Sequence, residues 1–94
     1  MNVDRILKTV SLKICNQRGL HARAAAKFVK LVAEFSADVS VFKDGQKVTG
    51  NSILGLMMLA AAMDDAIEVS VSGADEIVAI KAITELIENK FEEN

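Results

Sequence analysis

In three stretches of this chain apolar residues occupy every second position and polar residues fill the gaps. Residues 9–15 set Val10, Leu12 and Ile14 on one side and Thr9, Ser11, Lys13 and Cys15 on the other. Residues 38–43 turn Val39 and Val41 inward and Ser40 outward, and residues 66–72 alternate Ile67, Val69 and Val71 with Glu68, Ser70 and Ser72. A period of two means a strand with one buried and one wet face. Strands of this kind belong in a sheet that helices cover on one side only.

Between the strands the period changes. Over residues 22–35, Ala25, Phe28, Val29, Val32 and Phe35 fall at helical spacing, with Lys27, Lys30 and Glu34 off the stripe. Asp44-Gly45 separates residues 38–43 from a short third strand at 46–49, a type I′-like hairpin signal that pairs the two antiparallel. Gly50-Asn51-Ser52 offers a break and a helix N-cap. Residues 53–63 follow, apolar almost all round and without a charge until Asp64. Such a helix is either buried or has a partner for its outer face. Ser72-Gly73-Ala74-Asp75 then turns the chain into a last helix over 75–91, with Ile80, Ile83, Ile87 and Phe91 on its buried stripe. The predicted order is βαββαβα, one α+β domain over residues 1–94 with no linker or internal repeat.

Composition narrows what such a domain does. The chain has 94 residues, 51% of them hydrophobic, but only four are aromatic, all phenylalanine, so the core must be aliphatic. A net charge of −2 with dispersed basic residues argues against a nucleic-acid footprint and against a polybasic membrane anchor. An RNA-binding sheet would need exposed aromatics, and Phe42 alone qualifies. One histidine and one cysteine do not make a metal site, and no metal or cofactor is expected. Cys15 cannot staple the fold, which suits a reducing compartment. Residues 1–8 alternate charged and apolar side chains without a signal-peptide core, and no apolar run is long enough to span a membrane. The expectation is a soluble, cytoplasmic protein.

The single histidine lies in Arg18-Gly19-Leu20-His21-Ala22-Arg23, directly ahead of the first helix. Backbone N–H groups at a helix start lack intrahelical partners and, with the positive end of the dipole, attract anions. A neutral imidazole there can attack a phosphoryl group and leave the product in a setting suited to negative charge. Arg23, two residues on, adds a forked cationic donor.

Gly19-Leu20-His21-Ala22-Arg23, the block Gly50-Asn51-Ser52-Ile53-Leu54-Gly55-Leu56-Met57-Met58-Leu59, their spacing and the order of elements together resemble the HPr family. These are phosphocarrier proteins of the phosphoenolpyruvate-dependent phosphotransferase system. The resemblance runs from Thr9 onward. It implies an open-faced sandwich: a four-stranded antiparallel sheet with three helices on one face. It also implies a bacterial relay protein rather than an enzyme. His21 would accept a phosphoryl group through Nδ1 from Enzyme I, steadied by Arg23, and pass it to a IIA-type protein. Ser52 would be the target of a regulatory HPr kinase/phosphorylase; its other role is the helix cap, which Asn51 could take over. Leu20, Ile53, Leu54 and Met57 would form an exposed docking patch, while Leu56, Met58 and Leu59 are candidates for the core.

One position departs from the family. Ala24 stands where proline is usual, which loosens the start of the helix by about 0.4–1 kcal/mol through unfolded-chain entropy and leaves both chemical roles intact. With the alanine-rich run and Asn51, it points towards regulatory, nitrogen-related carriers. The competing reading is a non-catalytic regulatory binding module of the same fold, in which His21 is never phosphorylated. A small carrier that must fit two partners is expected to be monomeric.

Overall fold

The computed structural model describes residues 8–93. Residues 1–7, where the sequence shows no leader-like apolar run, lie outside the described residues. Strands β1 (Lys8–Lys13), β2 (Ala37–Lys43), β3 (Gln46–Thr49) and β4 (Ala66–Gly73) form one antiparallel sheet in the order β1-β4-β2-β3. Helices α1 (Ala22–Val32), α2 (Ile53–Met58) and α3 (Glu76–Glu88) supply the second layer.

Register shows how the alternation works. Val10 opposes Val69, Val69 opposes Val41, and Val41 opposes Val48, so one apolar row crosses all four strands. Leu12 and Ile67 pair beside it, and Val39 pairs with Val71. The helices close over this face with Ala25, Phe28, Leu56, Ala79, Ile83 and Ile87, all fully buried. On the other face the rows are polar. Thr9, Ser70, Ser40 and Thr49 line up across the sheet, with Thr9 Oγ1 and Ser70 Oγ hydrogen-bonded at 2.9 Å. Next to them run Ser11, Glu68, Phe42 and Lys47, in which Phe42 is the lone aromatic, with the Lys47 ammonium 5.8 Å from its ring centre. The Asp44–Gly45 turn has positive φ at both residues, 51° and 81°, as a type I′ hairpin requires.

All three helices end earlier than their apolar pattern does. Past α1, Glu34 and Phe35 donate to Leu31 and Val32 in tight i→i−3 bonds, and Ser36 N–H is then taken by Asp75 Oδ2 at 2.8 Å. Past α2, Ala60 turns to φ 54°, and the backbone of the alanine run is put to other uses. Ala61 O accepts from Leu20 N–H at 2.9 Å, and Ala62 N–H donates to Asp65 Oδ2 at 2.9 Å. Past α3, Lys90–Glu92 form a single turn with φ of 58°, 53° and 65°, so the chain winds the opposite way just where the periodicity predicts more helix. No helix among the described residues is long and apolar enough to cross a membrane.

The start of α1 is fixed by a close approach between loops. Gly19 has φ +69°, and a Cβ there would strike Ala61 O and lie 2.9 Å from Ala62 Cα. Gly19→Ala therefore combines a left-handed φ with a backbone clash and is expected to cost more than ~1 kcal/mol. Denaturant melts would check this: a wild-type midpoint would mean that the loop can step away from Ala61 freely.

Candidate functional site

Residues from both ends of the chain meet around one imidazole. His21 is the N-cap of α1, in extended backbone, and its Nδ1 accepts the N–H of Arg23 at 3.3 Å. A side-chain acceptor bonding the second helical N–H is the usual capping arrangement, here made by a ring nitrogen. Ala25 N–H is the first to bond within the helix, to His21 O at 2.8 Å. On the far side of the ring, Nε2 lies 2.5 Å from Glu93 Oε2. The side chains of His21 and Glu93 keep only 16% and 18% of their surface exposed.

These partners fix the tautomer. An ionised carboxylate can only accept, so Nε2 carries the proton; an amide N–H can only donate, so Nδ1 presents its lone pair. Nε2–H thus points at Glu93, and the Nδ1 lone pair lies at the positive end of a helix. The 3.3 Å bond is near the long limit and is easily given up when another group needs that amide.

Two supports hold the constellation. Asn16, 1% exposed, donates from Nδ2 to Gly19 O at 2.8 Å and to Glu93 Oε1 at 3.0 Å, which braces the loop and the carboxylate together. The second support is the turn Lys90–Glu92. Left-handed φ costs about 1–2 kcal/mol for each L-residue other than glycine. Complete burial of Phe91 offsets about 1.5–3 kcal/mol of this, and Lys27 Nζ donates to Phe91 O at 2.8 Å. Cys15 anchors the preceding helix by donating its S–H to Ile87 O at 3.2 Å.

The surroundings are charged, with both signs present. Arg18, Arg23 and Lys27 line a depression of about 310 Å³ with Gln17, Glu92 and Glu93. Partial burial pushes the Glu93 carboxyl up, but hydrogen bonds from Asn16 and His21 and the charge of Arg18 outweigh it and hold the group below its ordinary value.

Of the other residues singled out in the sequence, only Arg23 is at this site. Arg23 is exposed at the first turn of α1. Ser52 is the N-cap of α2, its Oγ accepting from Gly55 N–H at 2.9 Å. Asn51 does not take over the cap, because its Oδ1 accepts from Thr49 Oγ1 at 2.7 Å. Ile53, Leu54 and Met57 are exposed on α2. Leu20 is not part of an exposed patch: it is 4% exposed, drawn inward by its N–H bond to Ala61 O. Met58 corrects the sequence in the other direction, at 67% exposed rather than in the core, and Met63 is exposed too. Asn16, Lys27 and Glu93 were missed as site residues. Asn16 reads as turn material and Lys27 as a wet helix position, and nothing local marks Glu93.

The sequence and the topology match known proteins. The family model described as the PTS HPr component phosphorylation site covers residues 8–89. The chain belongs to the HPr family. It is a phosphocarrier of the phosphotransferase system, not an enzyme. Phosphocarrier protein HPr of Neisseria meningitidis serogroup A is 48% identical over 83 residues, spanning 88% of this chain and 93% of its own. Phosphocarrier protein NPr of Shewanella violacea is 41% identical over 80 residues, 85% of this chain and 88% of its own. The solved structure of HPr-C-His from Thermoanaerobacter tengcongensis overlays with a TM-score of 0.88 at 45% identity, covering 93% of this chain and 98% of that one. Its four-stranded open sheet and three helices are the architecture described above.

The sign of the Glu93 shift gives a pH dependence. A carboxyl held below its unfolded value stabilises the fold above about pH 4.3 and loses that contribution as pH falls through the lower folded value. Wild type should therefore melt above Glu93→Gln at neutral pH, and the gap should close in acid. Paired melting curves across pH would show it. A gap that persists unchanged into strong acid would mean that the carboxylate charge contributes nothing.

Proposed function

We propose that His21 is the phosphoryl acceptor, charged on Nδ1 by Enzyme I and discharged to a IIA-type protein, in a monomeric, cytoplasmic, single-domain carrier. One observation carries the reading: the Nδ1 lone pair faces the free N–H groups at the start of α1, while Nε2 is occupied by Glu93. The family match gives that nitrogen a task. Phosphoryl transfer depends chiefly on placement and charge stabilisation. When Nδ1 bonds phosphorus, the Arg23 amide that now caps the ring becomes a donor for a phosphoryl oxygen, and the Arg23 guanidinium can reach the others as a fork. Ala24 in place of the usual proline adds a further N–H at this first turn.

Docking is assigned to α2. Ile53, Leu54 and Met57, joined by Met58 and Met63, give an apolar surface whose flexible methionines suit more than one partner. Acid-labile, alkali-stable addition of one phosphate by Enzyme I and phosphoenolpyruvate is the expected result for wild type, read by mass. His21→Ala should fold normally and gain nothing. Full modification of that variant would overturn the assignment, and an unmodified wild type would leave the binding-module reading.

Ser52 is proposed as the regulatory position, modified by an HPr kinase/phosphorylase. A phosphate would add about −1.5 to −2 charge at the start of α2. The helix gains at most ~0.3–1 kcal/mol from a negative group there. Desolvating that charge beside Ile53, Leu54 and Met57 during docking costs several kcal/mol, so the interface loss exceeds the helix gain. Ser52→Asp retains an acceptor for Gly55 N–H and should melt at or above wild type while slowing phosphorylation of His21. A marked fall in melting temperature would identify Ser52 as a cap and nothing more; normal transfer would put it outside the docking surface.

A further inference from the structure

Glu93 is the carboxylate in direct contact with the His21 ring, and it arrives from 72 residues further along the chain. Its two oxygens are divided between two donors, Asn16 Nδ2 on Oε1 and His21 Nε2 on Oε2. The backbone that delivers it is the turn Lys90–Glu92, three consecutive residues without glycine at positive φ. Backbone in that region persists only where its surroundings over-determine it, and it clusters at functional sites. Here the surroundings are the buried Phe91 ring and the Lys27 bond to its carbonyl.

We propose that Glu93 is a positioning residue for phosphoryl transfer, accepting the Nε2–H of His21 so that the ring presents its Nδ1 lone pair to phosphorus. The proposal rests on the reading that Nδ1 of His21 is the acceptor. In the transfer step the Nδ1 lone pair forms the new N–P bond. The bond between phosphorus and the atom that carries it on the phosphorylated donor breaks, and its electron pair stays on that atom. The His21 ring becomes positively charged, and its Nε2 proton stays in place, shared with Glu93. No proton has to enter or leave. On discharge the same pair returns to Nδ1 and the ring is again neutral.

A carboxylate near an incoming phosphoryl group also repels it, and the geometry decides which effect prevails. The favourable contact is direct, at 2.5 Å on Nε2. The phosphoryl group joins at the other ring nitrogen, Nδ1, beside the Arg23 amide. Attraction at contact therefore exceeds repulsion across the ring. The depressed carboxyl of Glu93 keeps the group ionised under neutral conditions.

The test compares full-length wild type, Glu93→Gln and Glu93→Asp, by ¹⁵N NMR of the His21 ring and by phosphorylation kinetics with Enzyme I. The glutamine amide can donate or accept, so Glu93→Gln should give a mixture of ring tautomers. Its turnover should fall about 10- to 100-fold, the size of effect seen when the hydrogen-bonded partner of a metal-bound histidine is removed, with little change in KM. Glu93→Asp restores the acceptor and should recover the Nε2–H tautomer and part of the rate. Wild-type tautomer and rate in Glu93→Gln would overturn the proposal, as would a slowed variant whose tautomer is unchanged. Phosphorylation of wild type at Nε2, or none at all, would instead overturn the acceptor reading on which it rests.

Discussion

The row Val10–Val69–Val41–Val48 ties the four strands together on one face, and it fixes their register as well. Sliding any strand by one residue would turn its valines to water and bring a serine, threonine or charged residue into the core. With register fixed, the ends of the strands are fixed, and so are the loops that leave them. Ile14 continues the line of β1 by donating to Asp65 O at 2.9 Å and accepting from Asp64 N–H at 2.7 Å. Asn16 follows two residues later, so the buried amide that braces His21 takes its position from the sheet.

The site itself lies where three stretches of backbone converge: the loop before α1, the segment after α2 and the turn after α3. The last two give up a regular structure that their sequences would otherwise support. Gly19 takes a left-handed φ against Ala61, the alanine run leaves its helix, and Lys90–Glu92 reverse their winding. What these concessions share is the ring of His21, held between an amide on one nitrogen and a carboxylate on the other. Local departures from the preferred backbone concentrated around one side chain are the pattern expected where function competes with stability.

Much of this was legible in the sequence, for a clear physical reason. Period-two and helical patterns report burial directly, so the strands, the helix following His21 and the hairpin at Asp44–Gly45 could all be placed. The capping histidine was visible because glycine and an alanine-rich helix flank it. What stayed hidden depends on contacts distant in the chain. Ala60, Ala61 and Ala62 are good helix formers, and only the demand of Leu20 N–H for an acceptor shows why they stop. Met58 left its expected place because a helix of six residues is too short for apolar content to say which side is covered, whereas Leu20 is held inside by its N–H bond to Ala61 O. Glu93 carries no local mark at all: its partner is 72 residues away, and the turn that delivers it contradicts its own periodicity.

Pairing between distant parts of the chain also governs how the molecule can assemble. β4 is central, yet its neighbour β1 pairs with it across a long loop, Lys8 opposing Val71, and β2 reaches it from Ala37 opposing Gly73. Closing loops of that length carries an entropic penalty before the contacts form, so topologies rich in such pairings fold slowly. The His21–Glu93 contact spans a longer loop still, and it needs Phe91 seated in a core that the sheet has already built. A partly folded chain can therefore hold native hairpin β2–β3 and much of α1 while its imidazole has no carboxylate beside it. The ring setting depends on the final turn as well as on the sheet, because the turn that seats Phe91 also delivers Glu93.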